Sequence, residues 1–284
     1  MANIDGIIIF TNTVDLVYIE NMNERELALI TGASSGIGWE FASILAAKNT
    51  DLVLTSRSTT KLINLKTTLE SEYDIKVWIY PKDLSIPDAS LEIHDYLKEN
   101  NLKPTILINN AGFGDYGLFH QADWEKTEMM INLNILSLTH LTRLIGEDMV
   151  QRNSGRILNV ASTAAFQPGP LMSVYYATKA YVLSFSEGIA NEWKDFGVTV
   201  TALCPGATAS NFAEAAEATE SKIFKNKKLP TSREVAEHGI KAMFKGEVVS
   251  IHGFINAALV TSVRFTPRSI IRKIVRNIQE RNKP

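Results

Sequence analysis

Short apolar runs alternate with longer amphipathic stretches along most of the chain. Several of the apolar runs lack polar alternation, which is typical of strands that helices cover on both faces. The predicted strands are residues 27–30, 52–55, 77–80, 106–108, 156–160, 198–203 and 248–251. The predicted helices are residues 39–48, 59–73, 88–100, 124–152, 173–196 and 233–245. This alternation predicts an α/β fold with a doubly wound, mostly parallel sheet of about seven strands and helices on both faces.

The composition is that of a globular protein and narrows the classes of function. The 284 residues are 45% hydrophobic and 21% charged, which suffices for a buried core and argues against disorder. A net charge of −2 gives no electrostatic basis for binding nucleic acid. The one cysteine, Cys204, rules out an internal disulfide and favours a reducing, cytoplasmic compartment. The five histidines lack metal-ligand spacing, so we expect no metal site.

Residues 1–23 precede the first predicted strand and form a predicted N-terminal extension. Their apolar run, residues 7–10, is too short to span a membrane. It also lacks a basic flank and a small-residue cleavage site, so we do not expect a secretory signal. Two alternatives remain open for residues 1–21. They are an addition upstream of the domain, or an extra strand or hairpin of it.

A glycine-rich turn follows the first predicted strand. Glycines allow a tight turn and let backbone amides approach a phosphate, which the N-terminus of the next helix also favours. The candidate dinucleotide contacts here are Gly32, Ser34, Ser35, Gly36, Ile37 and Gly38. The same turn matches the G-x-S-x-G pattern of hydrolases, so a serine hydrolase using Ser34 and His252 is a rival. Against it, the turn lies on the first strand and no oxyanion-hole glycine run precedes it.

Arg57 lies at the end of the second predicted strand, 19 positions after Gly38. An acidic residue near this position would bind the ribose 2′-hydroxyl of NAD, whereas an arginine suits the 2′-phosphate of NADP. The preceding residue is Ser56, not an acid. Arg57 therefore favours NADP(H) over NAD(H), with a merely solvated loop residue as the alternative.

Further polar residues occur where later predicted strands end. Asn109-Asn110-Ala111-Gly112 follows the fourth strand, and Ser162 follows the fifth. Tyr175 comes thirteen residues after Ser162, and Lys179 four residues after Tyr175. A spacing of four places Tyr175 and Lys179 on one helix face, from which the neighbouring Tyr176 is rotated away.

Taken together, these motifs resemble the short-chain dehydrogenase/reductase family in its shorter, single-domain branch. They occur in the family's order over about residues 24–252, and Asp83-Leu84, Asn134 and Pro205-Gly206 belong to the same set. The resemblance implies a Rossmann fold over residues 24–253, a nicotinamide cofactor, and hydride transfer between that cofactor and a carbonyl or secondary alcohol. The cofactor contacts that it implies are Asp83, Leu84, Asn109, Asn110, Ala111, Gly112, Tyr175, Lys179, Pro205, Gly206 and Thr208.

The resemblance also implies catalytic roles for four residues. Tyr175 would be the general acid in reduction, although a pKa near 10 is a poor match to neutral pH. A neighbouring ammonium, that of Lys179, would lower this pKa. Ser162 would orient the substrate oxygen, and Asn134 would support a water that links Lys179 to solvent. A non-catalytic NADP-binding regulator is a rival, but it would have no chemical need for these four residues.

Apolar residues near the catalytic set predict an apolar substrate. Ligand sites are typically apolar with few polar anchors, so a hydrophobic ketone, aldehyde or secondary alcohol is favoured. The candidate pocket residues are Phe113, Phe166, Gln167, Pro168, Leu171, Met172 and Phe212. Residues 207–231 are irregular, and we expect them to form a mobile lid.

Residues 254–284 extend past the resembling segment and include a predicted basic amphipathic helix. Its apolar stripe is Ile270, Ile271, Ile274, Val275 and Ile278, and its basic face is Arg268, Arg272, Lys273 and Arg276. Such a helix can make weak contact with a membrane surface, but docking on the domain or on a second subunit is favoured. Relatives often assemble through the helices predicted at residues 124–152 and 173–196, so we expect a homodimer or homotetramer.

Overall fold

The computed structural model describes residues 25–218, 221 and 229–280. The predicted extension, residues 1–23, lies outside this range. Seven parallel strands form one sheet in the order β3-β2-β1-β4-β5-β6-β7. They are β1 (Leu27–Thr31), β2 (Asp51–Ser56), β3 (Val77–Pro81), β4 (Ile106–Asn109), β5 (Gly155–Val160), β6 (Val198–Cys204) and β7 (Val249–Ile251). The predicted doubly wound sheet is confirmed.

Ten α-helices connect and follow the strands in the described part of the chain. They are α1 (Gly36–Ala46), α2 (Thr59–Glu72), α3 (Ala89–Glu99), α4 (Trp124–Ile131), α5 (Leu138–Gln151), α6 (Ser173–Trp193), α7 (Phe212–Ala215), α8 (Ser232–Phe244), α9 (Phe254–Val263) and α10 (Arg268–Gln279). The helix predicted at residues 124–152 is interrupted by a π-helical turn, Asn132–Ser137, between α4 and α5. The predicted lid, residues 207–231, contains α7, but residues 219–220 and 222–228 lie outside the described range.

Two apolar layers cover the two faces of the sheet. Successive side chains of a strand point to opposite faces, so in β1 Ile30 packs on one layer and Leu29 on the other. Phe41 of α1 and Leu65 of α2 belong to the first layer, and Ile145 of α5 belongs to the second. Every residue of β1 is buried, which explains the missing polar alternation in the sequence.

The strand order reverses between β1 and β4. Connections leave these two strands in opposite directions, so a crevice opens beyond their carboxyl ends. The glycine-rich turn lies at the end of β1 and the Asn-Asn-Ala-Gly segment at the end of β4. The topology therefore brings together two motifs that are far apart in the sequence.

The C-terminal extension folds into α9 and α10. Ile271 and Val275 of α10 are buried against the domain, whereas Ile270, Ile274 and Ile278 are exposed. The predicted apolar stripe is thus divided between a docked edge and a solvent-facing edge. None of the helices within residues 25–280 that the structure describes is long and apolar enough to cross a membrane.

Candidate active site

The glycine-rich turn adopts the geometry that its glycines permit. Gly32 and Gly36 have φ values of +66° and +56°, in the left-handed region that favours glycine. A Cβ on Gly38 would lie 2.2 Å from the carbonyl oxygen of Gly32, so α1 packs against the turn without room for a side chain. In the described structure the Ser35 side chain makes no capping hydrogen bond to α1. The backbone amides of this helix end therefore suit a phosphate.

Hydrogen bonds join the turn after β1 to the loop after β4. The Thr31 hydroxyl accepts hydrogen bonds from the backbone N–H groups of Asn110 at 3.0 Å and Ala111 at 2.9 Å. The Asn110 side chain donates to the carbonyls of Thr31 at 3.0 Å and Gly32 at 3.2 Å. The two loops form one hydrogen-bonded unit on the floor of the crevice.

Asn109 lies beneath this floor and not on it. Its side chain is buried and donates hydrogen bonds to Thr142 Oγ1 and Asn159 Oδ1, both at 2.9 Å. The expected contact between Asn109 and the cofactor is therefore wrong. The Asn109 side chain instead links β4 to α5 and β5. The cause is strand geometry, because neighbouring side chains in and after β4 point to opposite faces.

A single cavity of about 470 Å³ connects the glycine turn with Tyr175. The predicted cofactor residues that line it are Gly32, Ser34, Ser35, Gly36, Ile37, Arg57, Asp83, Leu84, Asn110, Ala111, Gly112, Tyr175, Lys179, Pro205, Gly206 and Thr208. Gly38 does not line the cavity, because it is used in the close packing of α1 against the turn. The wall also includes Ser56, whose buried hydroxyl has no hydrogen-bond partner among the described residues. The glycine-lined wall and the unpartnered Ser56 hydroxyl fit a bound dinucleotide.

Positive side chains cluster at the end of the cavity near β2. Arg57 lines this end as predicted, and Lys61 and Lys82 line it as well. Lys82 forms a close ion pair with Glu92. Sequence reasoning missed both lysines, although Lys61 follows Arg57 by four residues at the start of α2. Three cationic groups at one end suit a phosphate on the adenosine ribose.

Tyr175, Lys179 and Ser162 converge at the other end of the cavity. Tyr175 and Lys179 share one face of α6, and the Lys179 Nζ lies 5.9 Å from the centre of the Tyr175 ring. The same Nζ donates a hydrogen bond to the Val160 carbonyl at 2.7 Å. The Ser162 hydroxyl accepts a hydrogen bond from the N–H of Ala164 at 3.1 Å. The predicted catalytic constellation is therefore assembled around one surface.

Burial is the main cause of the pKa shifts of Tyr175 and Lys179. It raises the pKa of Tyr175 well above its usual value, and a hydrogen bond with Ser162 only partly opposes the rise. Burial also lowers the pKa of Lys179 to about 8. The expected lowering of the Tyr175 pKa by Lys179 is thus not found in the protein alone. At neutral pH the phenol keeps its proton, which is the form that a general acid needs.

Asn134 lies behind the cavity wall in the π-helical turn. Its side chain accepts the N–H of Phe113 at 3.2 Å and donates to the Phe113 carbonyl at 2.9 Å and to Thr178 Oγ1 at 3.1 Å. A Cβ on Gly112 would lie 2.9 Å from Asn134 Oδ1 and 3.5 Å from the Nζ of Lys179. Asn134 therefore fixes the loop that separates it from Lys179. Turns of this π-helical kind occur frequently at functional sites.

The substrate side of the cavity is partly as predicted. Phe113, Met172 and Phe212 line it, whereas the wall formed by the described residues does not include the other candidates, Phe166, Gln167, Pro168 and Leu171. Two residues that sequence reasoning missed, Tyr176 and Gln279, also line the cavity. Tyr176 is rotated off the Lys179 face but still borders the space beside Tyr175. Gln279 carried no local signal, because only the fold brings α10 to this position.

The hydrolase alternative finds no support in the geometry. Ser34 lines the cavity, but within the described residues no histidine makes a hydrogen bond to it. His252 instead lies against His238, with ring centres 5.2 Å apart. Nor do the described residues contain a group of three side chains that would hold a metal ion.

Comparison with known proteins gives consistent results. The family model described as short chain dehydrogenase matches residues 26–221. The very-long-chain 3-oxoacyl-CoA reductase of Rattus norvegicus is 31% identical over 89% of this chain and 81% of its own length. The Homo sapiens protein of the same name is 30% identical over 90% of this chain and 80% of its own.

Two solved structures are similar over nearly their whole length. A short-chain dehydrogenase from Sphingobium yanoikuyae in complex with NADPH has a TM-score of 0.76 and 32% identity, covering 87% of this chain and 97% of that one. An alcohol dehydrogenase from Comamonas testosteroni, specific for bulky-bulky ketones, has a TM-score of 0.72 and 29% identity, covering 87% and 95%. Together with the parallel sheet and the ordered motifs, these matches lead to one conclusion. The chain belongs to the short-chain dehydrogenase family and is an NAD(P)-dependent oxidoreductase that acts on C=O or CH–OH groups.

Proposed function

We propose that the protein is an NADP(H)-dependent reductase of apolar carbonyl compounds, with Tyr175 as the general acid in reduction and the general base in oxidation. The observation that carries the proposal is the single cavity, which has the glycine turn at one end and Tyr175, Ser162 and Lys179 at the other. A cofactor held along this cavity would share its inner end with the carbonyl group of the substrate.

The preference for NADP(H) is supported by the charge at the β2 end of the cavity. Arg57, Lys61 and Lys82 would hold the 2′-phosphate, while the glycine turn and the amides of α1 would hold the pyrophosphate. A similar structure was solved with NADPH. When bound, the nicotinamide would supply the hydride in reduction and accept it in oxidation.

The protein's own part in reduction is to place and protonate the substrate oxygen. The Tyr175 phenol would donate its proton to that oxygen, and the Ser162 hydroxyl would donate a second hydrogen bond to it. The Lys179 ammonium would stabilise the phenolate that remains. Asn134 would hold the Gly112–Phe113 segment in place and support proton exchange through water near Lys179.

An apolar substrate is supported by the wall beside Tyr175. Phe212 lies with its ring centre 5.2 Å from that of Tyr175, and Phe113 and Met172 complete this side. Relatives are named for 3-oxoacyl-CoA and for bulky ketones. We therefore propose a carbonyl or secondary alcohol flanked by apolar groups.

Three features of the setting belong to the same proposal. A reducing, cytoplasmic compartment is proposed because Cys204 is the one cysteine of the sequence, so the fold does not depend on an internal disulfide. A homodimer or homotetramer is supported by Trp124, Leu136 and Tyr181, large side chains exposed on or between α4 and α6.

The lesser alternative of weak membrane contact would use the exposed isoleucines of α10, Ile270, Ile274 and Ile278. Liposome flotation of a variant with all three changed to serine would test it.

Two measurements test the proposed function. Fluorescence titration should show NADPH binding more tightly than NADH. A panel of ketones and aldehydes should then be reduced with oxidation of NADPH. Tight NADPH binding without turnover of any carbonyl would instead favour the non-catalytic regulator.

A further inference from the structure

The C-terminal helix contributes a polar group to the substrate side of the cavity. Gln279, the last residue of α10, is 1% exposed and lines the cavity beside Tyr176 and Met172. Its side-chain Nε2 donates a hydrogen bond to Tyr176 Oη at 2.7 Å and contacts the Met172 sulfur at 3.6 Å. A buried amide is costly unless it is hydrogen-bonded, so this pair is a specific feature of the wall.

Further contacts fix the position of Gln279. The Tyr116 hydroxyl donates to the backbone carbonyl of Gln279 at 2.7 Å, and the Ser221 hydroxyl donates to its side-chain oxygen at 3.3 Å. One turn and two turns earlier, Val275 and Ile271 pack in the same apolar cluster as the active-site tyrosines. The end of α10 is therefore a built part of the cavity wall.

The hydrogen bond from Gln279 leaves the Tyr176 hydroxyl with a proton to donate. A phenol both accepts and donates, and here Tyr176 Oη acts as the acceptor of the Gln279 amide. The Tyr176 ring is held over Gly169, where a Cβ would lie 2.1 Å from the ring. The ring centres of Tyr175 and Tyr176 are 6.1 Å apart. Tyr176 therefore brings a second hydroxyl donor to the wall of the cavity that contains Tyr175.

We propose that Tyr176, positioned by Gln279, donates a hydrogen bond to a second oxygen of the substrate, a few bonds from the carbonyl that Tyr175 protonates. This inference rests on the proposed function and narrows its substrate class. Compounds with an acceptor oxygen near the ketone, such as 3-oxo thioesters and 3-oxo esters, are preferred over simple ketones of equal chain length. Tyr176 is then a specificity residue, and Gln279 is a positioning residue that acts through it.

The variant Tyr176→Phe tests the inference, because it removes only the hydroxyl. We expect kcat/KM for a 3-oxo thioester to fall roughly tenfold, mainly through KM, with a less than about twofold change for a simple ketone of matched length. Tyr73→Phe is the matched control, because Tyr73 follows the C-terminal end of α2 and does not line the cavity. Its ratio of the two kcat/KM values should equal that of the wild type.

The role of Gln279 is tested by Gln279→Met, which keeps the length of the side chain but removes the amide. It should lower the same ratio, and the double variant with Tyr176→Phe should lose no more than Tyr176→Phe alone. If Tyr176→Phe lowers kcat/KM equally for the two substrates, or for neither, the ratio of the two values is unchanged. That result would overturn the inference while the proposed function stands. A wild-type protein that binds NADPH but reduces neither compound would overturn the proposed function and with it the inference.

Discussion

The Nζ of Lys179 lies 5.9 Å from the centre of the Tyr175 ring, and both side chains are buried. Burial lowers the pKa of the lysine to about 8 and raises that of the tyrosine. At neutral pH the pair therefore consists of a neutral phenol and a mostly charged amine. Reduction begins from this state, whereas oxidation needs the phenol to have lost its proton.

The rate of carbonyl reduction should fall as pH rises through about 8, the pKa of Lys179. Below that pH the ammonium stabilises the phenolate left after proton donation, and above it this charge is lost. Alcohol oxidation should gain nothing over the same range, because the raised pKa of Tyr175 keeps the phenol protonated there. Profiles of kcat/KM against pH in both directions measure the effect. A reductive rate that stays level from neutral pH to well above pH 8 would contradict it.

Replacing Tyr175 by phenylalanine should abolish most of the reductase activity. The proton donor is lost while the ring remains against Phe212, so we expect kcat to drop roughly a hundred- to ten-thousandfold. Binding of NADPH should change less than about twofold, since the change leaves the glycine turn intact. Stopped-flow kinetics and fluorescence titration give the two values. Turnover near that of the wild type would refute the assignment of Tyr175.

Changing Arg57 and Lys61 to alanine should remove the preference for NADPH. Charged hydrogen bonds to a 2′-phosphate would be lost, so kcat/KM for NADPH should fall about ten- to a hundredfold, while that for NADH is unaffected. Lys98→Ala, at an exposed site on α3, is the control. If the ratio of the two cofactors is the same in all three proteins, the 2′-phosphate is not held at this end of the cavity.

Much of the fold could be predicted from the sequence, because the responsible signals are local. Buried strands give unbroken apolar runs, and a spacing of four places Tyr175 and Lys179 on one helix face. The π-helical turn at Asn134 could not be predicted in this way, since such turns are rare single insertions within an α-helix and have no repeating pattern of their own. The ionisation of Tyr175 also depends on burial, which is a property of the folded chain.

Some residues of the candidate site could not be predicted from the sequence, because their placement also depends on the folded chain. Gln279 meets Tyr176 over a separation of 103 residues, and no spacing rule connects the two positions. Asn109 and Asn110 are neighbours with the same chemistry, yet one faces the sheet interior and the other the cavity. Motifs indicate which segment is used, and strand direction decides which of its side chains reaches the cofactor.

Replacing Gly38 by alanine should destabilise the protein and weaken NADPH binding, although alanine is the better helix former. The added Cβ would lie 2.2 Å from the Gly32 carbonyl and 2.5 Å from the Asn110 amide, so the turn and the loop must move apart. Overpacking of this kind costs roughly 1–3 kcal/mol.

Gly188→Ala is the matched control, because at that exposed site on α6 no described atom lies within 4 Å of the new Cβ. It should stabilise the protein by about 1 kcal/mol in urea unfolding. Because both changes make the same substitution in a helix, the difference between them measures the close approach at the phosphate turn, and equal stability with unchanged NADPH binding would show that this packing is not needed.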